Sequence, residues 1–65
     1  QVKIRDLRQG TYFTLKQIEE PKENQVWVRG EYDRSARTYS ATNFSDMNRE
    51  WCFKGDKEVF TEFIF

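Results

Sequence analysis

Apolar and polar residues alternate in steps of two over much of this chain. The clearest runs are Val26-Trp27-Val28-Arg29-Gly30-Glu31-Tyr32 and Val59-Phe60-Thr61-Glu62-Phe63-Ile64-Phe65. A period of two belongs to strands, whose successive side chains point to opposite faces. Val2-Lys3-Ile4-Arg5 predicts a short first strand, and Asp6-Leu7-Arg8-Gln9-Gly10 a turn in which Gly10 takes positive φ. Thr11-Tyr12-Phe13-Thr14-Leu15 is rich in β formers and predicts the second strand, with Phe13 and Leu15 on one face and Tyr12 and Thr14 on the other. The polar run from Glu19 to Gln25 contains Pro21, which lacks a ladder donor, so it reads as a loop and the best candidate for a mobile segment.

Residues 26–33 and 37–44 predict a hairpin. A two- or four-residue connection places Val26, Val28, Gly30 and Tyr32 on the face of Tyr39 and Ala41. A three-residue connection reverses the parity and brings Trp27 and Arg29 to Tyr39 instead. The first register gathers the aliphatics and is preferred; it also lets the Tyr39 ring cover the bare backbone of Gly30. Ser45 or Asp46 is placed to cap at most one short helical turn near 45–50. Trp51-Cys52-Phe53 reads as a strand, Lys54-Gly55-Asp56 as a tight turn, and Lys57–Phe65 as the last strand. In that strand Val59, Thr61, Phe63 and Phe65 share one face, while Phe60 and Ile64 lie on the other.

Five short strands with glycine at the bends predict a mostly-β chain forming a single domain over 1–65. The expected architecture is a small five-stranded antiparallel, partly open barrel in SH3-like style. The rival is a curved sheet of four or five strands that dimerises through one face.

Size narrows the choices further. A chain of 65 residues buries only about 60% of the surface its unfolded form exposes. One cysteine and no histidine exclude an internal disulfide and the usual zinc clusters. Stability therefore rests on apolar burial, and six Phe, three Tyr and two Trp supply it. Eleven basic and eleven acidic residues cancel, which denies the chain a global positive field. The signs nevertheless alternate in blocks, positive over 1–18 and 34–49 and negative over 19–33 and 50–65. No apolar run is long enough to span a membrane, and no basic start with an apolar run marks a leader, though Gln1 in place of Met leaves a removed leader open. Without a disulfide framework the expected setting is reducing and cytoplasmic.

Candidate chemistry is sparse. Cys52 has no evident base and sits between Trp51 and Phe53, where a buried inert thiol is expected. Glu31 and Asp33, with Asp46 or Glu50, are carboxylates of the kind that hold Mg²⁺, but solvated charges on a hairpin explain them as well. Gly10, Gly30 and Gly55 are too far apart to make a phosphate loop. No enzyme, cofactor or metal is expected. The remaining excess is aromatic and cationic. Tyr12, Trp27 and Arg29, with Arg34 and Arg37 at the hairpin tip, compose the expected binding surface, with Trp27 exposed at its centre. Rings beside arginines on a mixed-charge surface match a protein interface. The same residues, with Tyr39, offer stacking platforms and phosphate contacts for nucleic acid, the alternative reading. Phe60 and Ile64 on the second face of the last strand are the candidates for self-association as a homodimer.

The spacing L-R-Q-G-T-Y-F, V-W-V-R-G-E-Y-D-R, Y-S, F-K-G-D and E-V-F-T-E-F-I-F resembles short, functionally uncharacterised proteins of Bacteroidales genomes and their mobile elements. The resemblance covers most of the chain. It implies a stand-alone small domain linked to phage or conjugative elements, and it carries no catalytic or ligand-binding residue.

Overall fold

The computed structural model describes all residues, Gln1–Phe65. Six strands form: β1 (Val2–Lys3), β2 (Tyr12–Phe13), β3 (Trp27–Asp33), β4 (Thr38–Asn43), β5 (Glu50–Lys54) and β6 (Glu58–Val59). They are arranged in two antiparallel sheets, β1-β6 and β2-β3-β4-β5. The chain is mostly β with little helix, as expected, and has six strands in two sheets where five strands were expected. Backbone bonds join the sheets: Thr14 and Phe60 exchange a pair at 2.9 and 3.0 Å, and the Arg5 N–H, beyond β1, donates to Gly55 C=O, beyond β5, at 3.3 Å. Helix is confined to two single 3₁₀ turns, Ile4–Asp6 and Glu23–Gln25. No helix is long and apolar enough to cross a membrane.

The hairpin β3-β4 decides which residues face inward. Asp33 pairs with Thr38 and Tyr32 with Tyr39, across the four-residue connection Arg34–Arg37. Asp33 Oδ1 accepts the N–H groups of Ser35 and Ala36, and Arg37 closes the loop at a left-handed φ of 57°. Further along, the register slips. Arg29 pairs with Ala41, Val28 with Thr42 and Trp27 with Asn43, so Gly30 and Glu31 together oppose Ser40. This is a β-bulge, and one extra residue turns every later side chain to the opposite face. Each expected register is thus realised on one side of the bulge. Tyr32 shares a face with Tyr39 as preferred, but Val28 turns outward with Thr42, while Trp27 and Arg29 turn inward with Ala41.

The space at the bulge explains the glycine. A Cβ at Gly30 would run into the Ser40 hydroxyl and lie 3.3 Å from the Ser40 carbonyl oxygen. The Tyr39 ring does not cover Gly30 as expected. It lies against Gly55, where an added Cβ would sit 3.2 Å from the ring.

The core is the space between the inner face of the four-stranded sheet and the smaller sheet. Ile4, Phe13, Trp27, Ala41 and Val59 fill it, with Leu7, Leu15, Tyr39 and Phe53 packed around them. Phe13 and Phe53 meet edge to face, their centroids 6.4 Å apart. Val26 and Thr14 are also fully buried. The Thr14 hydroxyl is accommodated by donating to Lys16 C=O at 2.6 Å.

Two segments depart from their expected form. No helical turn forms near 45–50, because the side chains there satisfy the backbone in another way. Asp46 Oδ1 accepts the Asn48 N–H at 3.0 Å, and Asp46 C=O accepts that of Arg49 at 3.0 Å, which closes a turn. Buried Asn43 anchors it: its Oδ1 accepts the N–H and hydroxyl of Ser45, and its Nδ2 donates to Asn24 C=O. The last strand ends at Val59, well short of Phe65. Residues 61–65 leave the sheet, and the Ile64 N–H donates to Glu19 C=O at 2.8 Å. The loop before β3 does form, with Pro21 buried and Glu23–Gln25 making an exposed 3₁₀ turn.

Candidate functional site

The bulge separates the residues of the expected binding surface. Trp27 is only 5% exposed and belongs to the core, which corrects the expectation of an exposed Trp27. The Arg49 guanidinium lies 5.5 Å above its ring and closes it from the other side. Arg29 is half-buried on the same inner face, its guanidinium carbon 4.5 Å from the Tyr39 centroid and its Nη1 donating to Gly30 C=O at 2.8 Å. Its Nε is buried without a partner. Tyr32 and Tyr39 stack beside it at 4.6 Å. This cation and its rings hold one another, and of them only Tyr32 is exposed, at 43%.

Arg34 and Arg37 are exposed at the hairpin tip. Arg34 lines a polar hollow of about 720 Å³ on the outer face, where Glu31, Asp33 and Glu50 outnumber it. No three His, Cys, Asp or Glu side chains gather closely enough to hold a metal ion. Cys52 also lines that hollow and is exposed, not buried as expected, because it faces away from the core between Trp51 and Phe53. Phe60 is half-buried with both backbone groups bonded to Thr14, and Ile64 is exposed on the tail. With β6 ended at Val59, the two no longer share a strand face, so the expected self-association strand is not formed.

Tyr12 is the one ring of the expected surface that remains open. Its strand partner is Val28, so it sits on the outer face, 45% exposed. Phe44 reaches it from the end of β4 and Phe65 from the tail. Tyr12 and Phe44 centroids are 5.5 Å apart, Tyr12 and Phe65 5.9 Å, and Phe44 and Phe65 4.9 Å, all edge to face. Three rings in mutual edge-to-face contact hold each other's orientation without any covering layer. Beside them lies a groove of about 490 Å³ whose walls include Tyr12, Val28, Thr42, Phe44 and Met47. Met47 stands 82% exposed at its rim. Thr42 lines both this groove and the polar hollow, so the outer face carries an apolar half and an acidic half side by side.

Sequence reading did not single out Phe44, Met47 or Phe65 as site residues. Met47 carried one signal, an isolated long apolar side chain inside the polar run Ser45–Glu50. Phe65 carried none, since strand alternation assigned it to the core. The three rings come from separate segments, and no spacing rule brings them together. A scan against protein-family models found no match, and neither the curated proteins nor the solved structures contain one that matches this chain.

Proposed function

We propose that this chain is a non-catalytic protein-binding domain whose contact surface is the outer-face groove of Tyr12, Phe44 and Met47 together with the adjoining Phe65 ring. The observation that carries this reading is the trio of rings, packed against one another yet each 38–50% exposed. Scattered apolar residues on a small domain are ordinary, whereas contiguous ones mark contact surfaces. Fixed aromatic side chains bind at low entropic cost, and a mobile thioether beside them adapts to the shape of what is bound. The acidic half of the same face would favour a segment with an apolar anchor flanked by basic residues.

The bonds that tie Thr14 to Phe60 join the two sheets. We read that junction as one seam of a partly open barrel in SH3-like style, with an accessory role in a mobile element suggested by the sequence resemblance. The nucleic-acid alternative has lost its central stacking ring, because Trp27 is in the core.

Selection from a random displayed-peptide library against the folded chain tests the reading. Enriched peptides should share an apolar anchor with flanking basic residues, and their binding should move the amide resonances of Gly10, Val28, Thr42 and Phe44. Phe44→Ser with Met47→Glu should abolish binding. Enriched peptides that bind this double variant unchanged would refute the assignment of the groove.

A further inference from the structure

β5 is an open edge of the four-stranded sheet, and no backbone hydrogen bond joins Glu50–Phe53 to any strand except β4. The phase of the ladder tells which groups face outward. The Asn43 N–H donates to Arg49 C=O at 2.9 Å, so Arg49, Trp51 and Phe53 turn their backbone groups toward β4. Glu50, Cys52 and Lys54 turn theirs to the open side. Natural edge strands are guarded by charge, proline or a bulge. Here the only guards are Glu50 and Lys54, of opposite sign and placed symmetrically about Cys52.

We infer that β5 pairs antiparallel with β5 of a second copy of this chain, on a two-fold axis through Cys52. This register is self-complementary. Glu50 of each copy lies opposite Lys54 of the other, Trp51 opposite Phe53, and Cys52 opposite Cys52. The Cys52 N–H and C=O groups exchange two hydrogen bonds across the axis. Each Lys54 N–H adds one to Glu50 C=O of the second copy, while the Lys54 carbonyl is already taken by the Lys57 N–H at 3.0 Å. Trp51, 55% exposed in one chain, gains the partly buried Phe53 ring of the other on the inner side of the sheet. Shifting the register by two residues loses both charge pairs. A single-strand interface is at the small end for protein contacts, so the dimer is weak, populated between about 10 µM and 1 mM. Glu50 and Cys52 also line the acidic hollow, but the apolar groove of Tyr12, Phe44 and Met47 is not part of this edge, and either assignment can fail without the other.

Sedimentation of the full chain from about 10 µM to 1 mM tests it, with the apparent mass expected to rise from one chain toward two over that range. Glu50→Lys alone and Lys54→Glu alone each place like charges opposite and should weaken association about tenfold or more. The double swap Glu50→Lys with Lys54→Glu restores both pairs and should recover the dimer. Cys52→Pro removes only an outward N–H, so the variant should remain folded by circular dichroism and sediment as one chain. A copper–phenanthroline oxidation provides an independent readout. Cα atoms of a hydrogen-bonded antiparallel pair lie about 5.5 Å apart, within disulfide range. The two Cys52 thiols give two protons and two electrons to dissolved oxygen and should cross-link in the wild type. Arg34→Cys in a Cys52→Ser chain should not cross-link at the same concentration. A mass of one chain throughout, or a double swap no tighter than the single variants, overturns the inference.

Discussion

The inner and outer faces of the four-stranded sheet take their apolar residues from adjacent chain positions, yet put them to different use. Phe13 is fully buried and its neighbour Tyr12 is 45% exposed; Trp27 is sealed while Val28 lines an open groove. Residue type does not separate the faces, since each carries aromatic rings. The difference lies in what covers them. Ile4 of the first 3₁₀ turn and Val59 of the smaller sheet lie over the inner face. The outer face has only the tail residue Phe65 against Tyr12 and Phe44. A ring under the second layer stabilises the fold, and an equivalent ring one residue away is left open to solvent.

Substitutions at three places probe this contrast. The largest effect is expected on the inner face: Phe13→Ala should cost about 3–5 kcal/mol, a large share of a small domain's stability. Tyr12→Ala should cost no more than about 1 kcal/mol. Urea unfolding of the two variants measures the gap, and equal losses would mean that the outer face also supports the fold. The next effect concerns the residue that sets which side chains face where. Gly30→Ala should cost about 1–3 kcal/mol by overpacking against Ser40. Adding Ser40→Ala should recover part of that loss, because the hydroxyl is the nearest obstacle. The smallest effect lies at the hairpin tip. Arg37→Gly should stabilise the domain by up to about 1 kcal/mol, as glycine takes the left-handed φ without the Cβ penalty. A loss of stability there would show that the Arg37 side chain makes contacts worth more than its backbone strain.

Much of the strand layout was legible in the sequence. Alternation marked β3 and β4, glycine with polar neighbours marked the turns at Gly10 and Gly55, and Asp33-Arg34-Ser35 marked the hairpin tip. The bulge was not legible, because Gly30 suits a bulge and a plain strand covered by a ring equally well. A shift of one residue there moved Trp27 from the expected surface into the core and Val28 from the core to the surface. The C-terminal segment misled for another reason. Apolar residues at both parities described a strand buried on both faces, but the chain leaves the sheet after Phe60 and carries Phe65 to Tyr12. Of the candidate site, only Tyr12 could be found in advance. Phe44 and Phe65 join it through tertiary contacts between distant segments, which local periodicity does not encode.

The pairing of Val2 with Val59 has a consequence for how the chain folds. It closes a loop of 57 residues, whereas β3, β4 and β5 are joined by connections of a few residues each. Loop-closure entropy rises with separation, and distant pairings slow folding. The hairpins around Arg34–Arg37 and Phe44–Arg49 are therefore expected to form early, and the β1-β6 sheet late. Until that sheet arrives, Phe13 and Trp27 are as open to solvent as Tyr12, and the nascent domain shows sticky surface on both sides of its sheet.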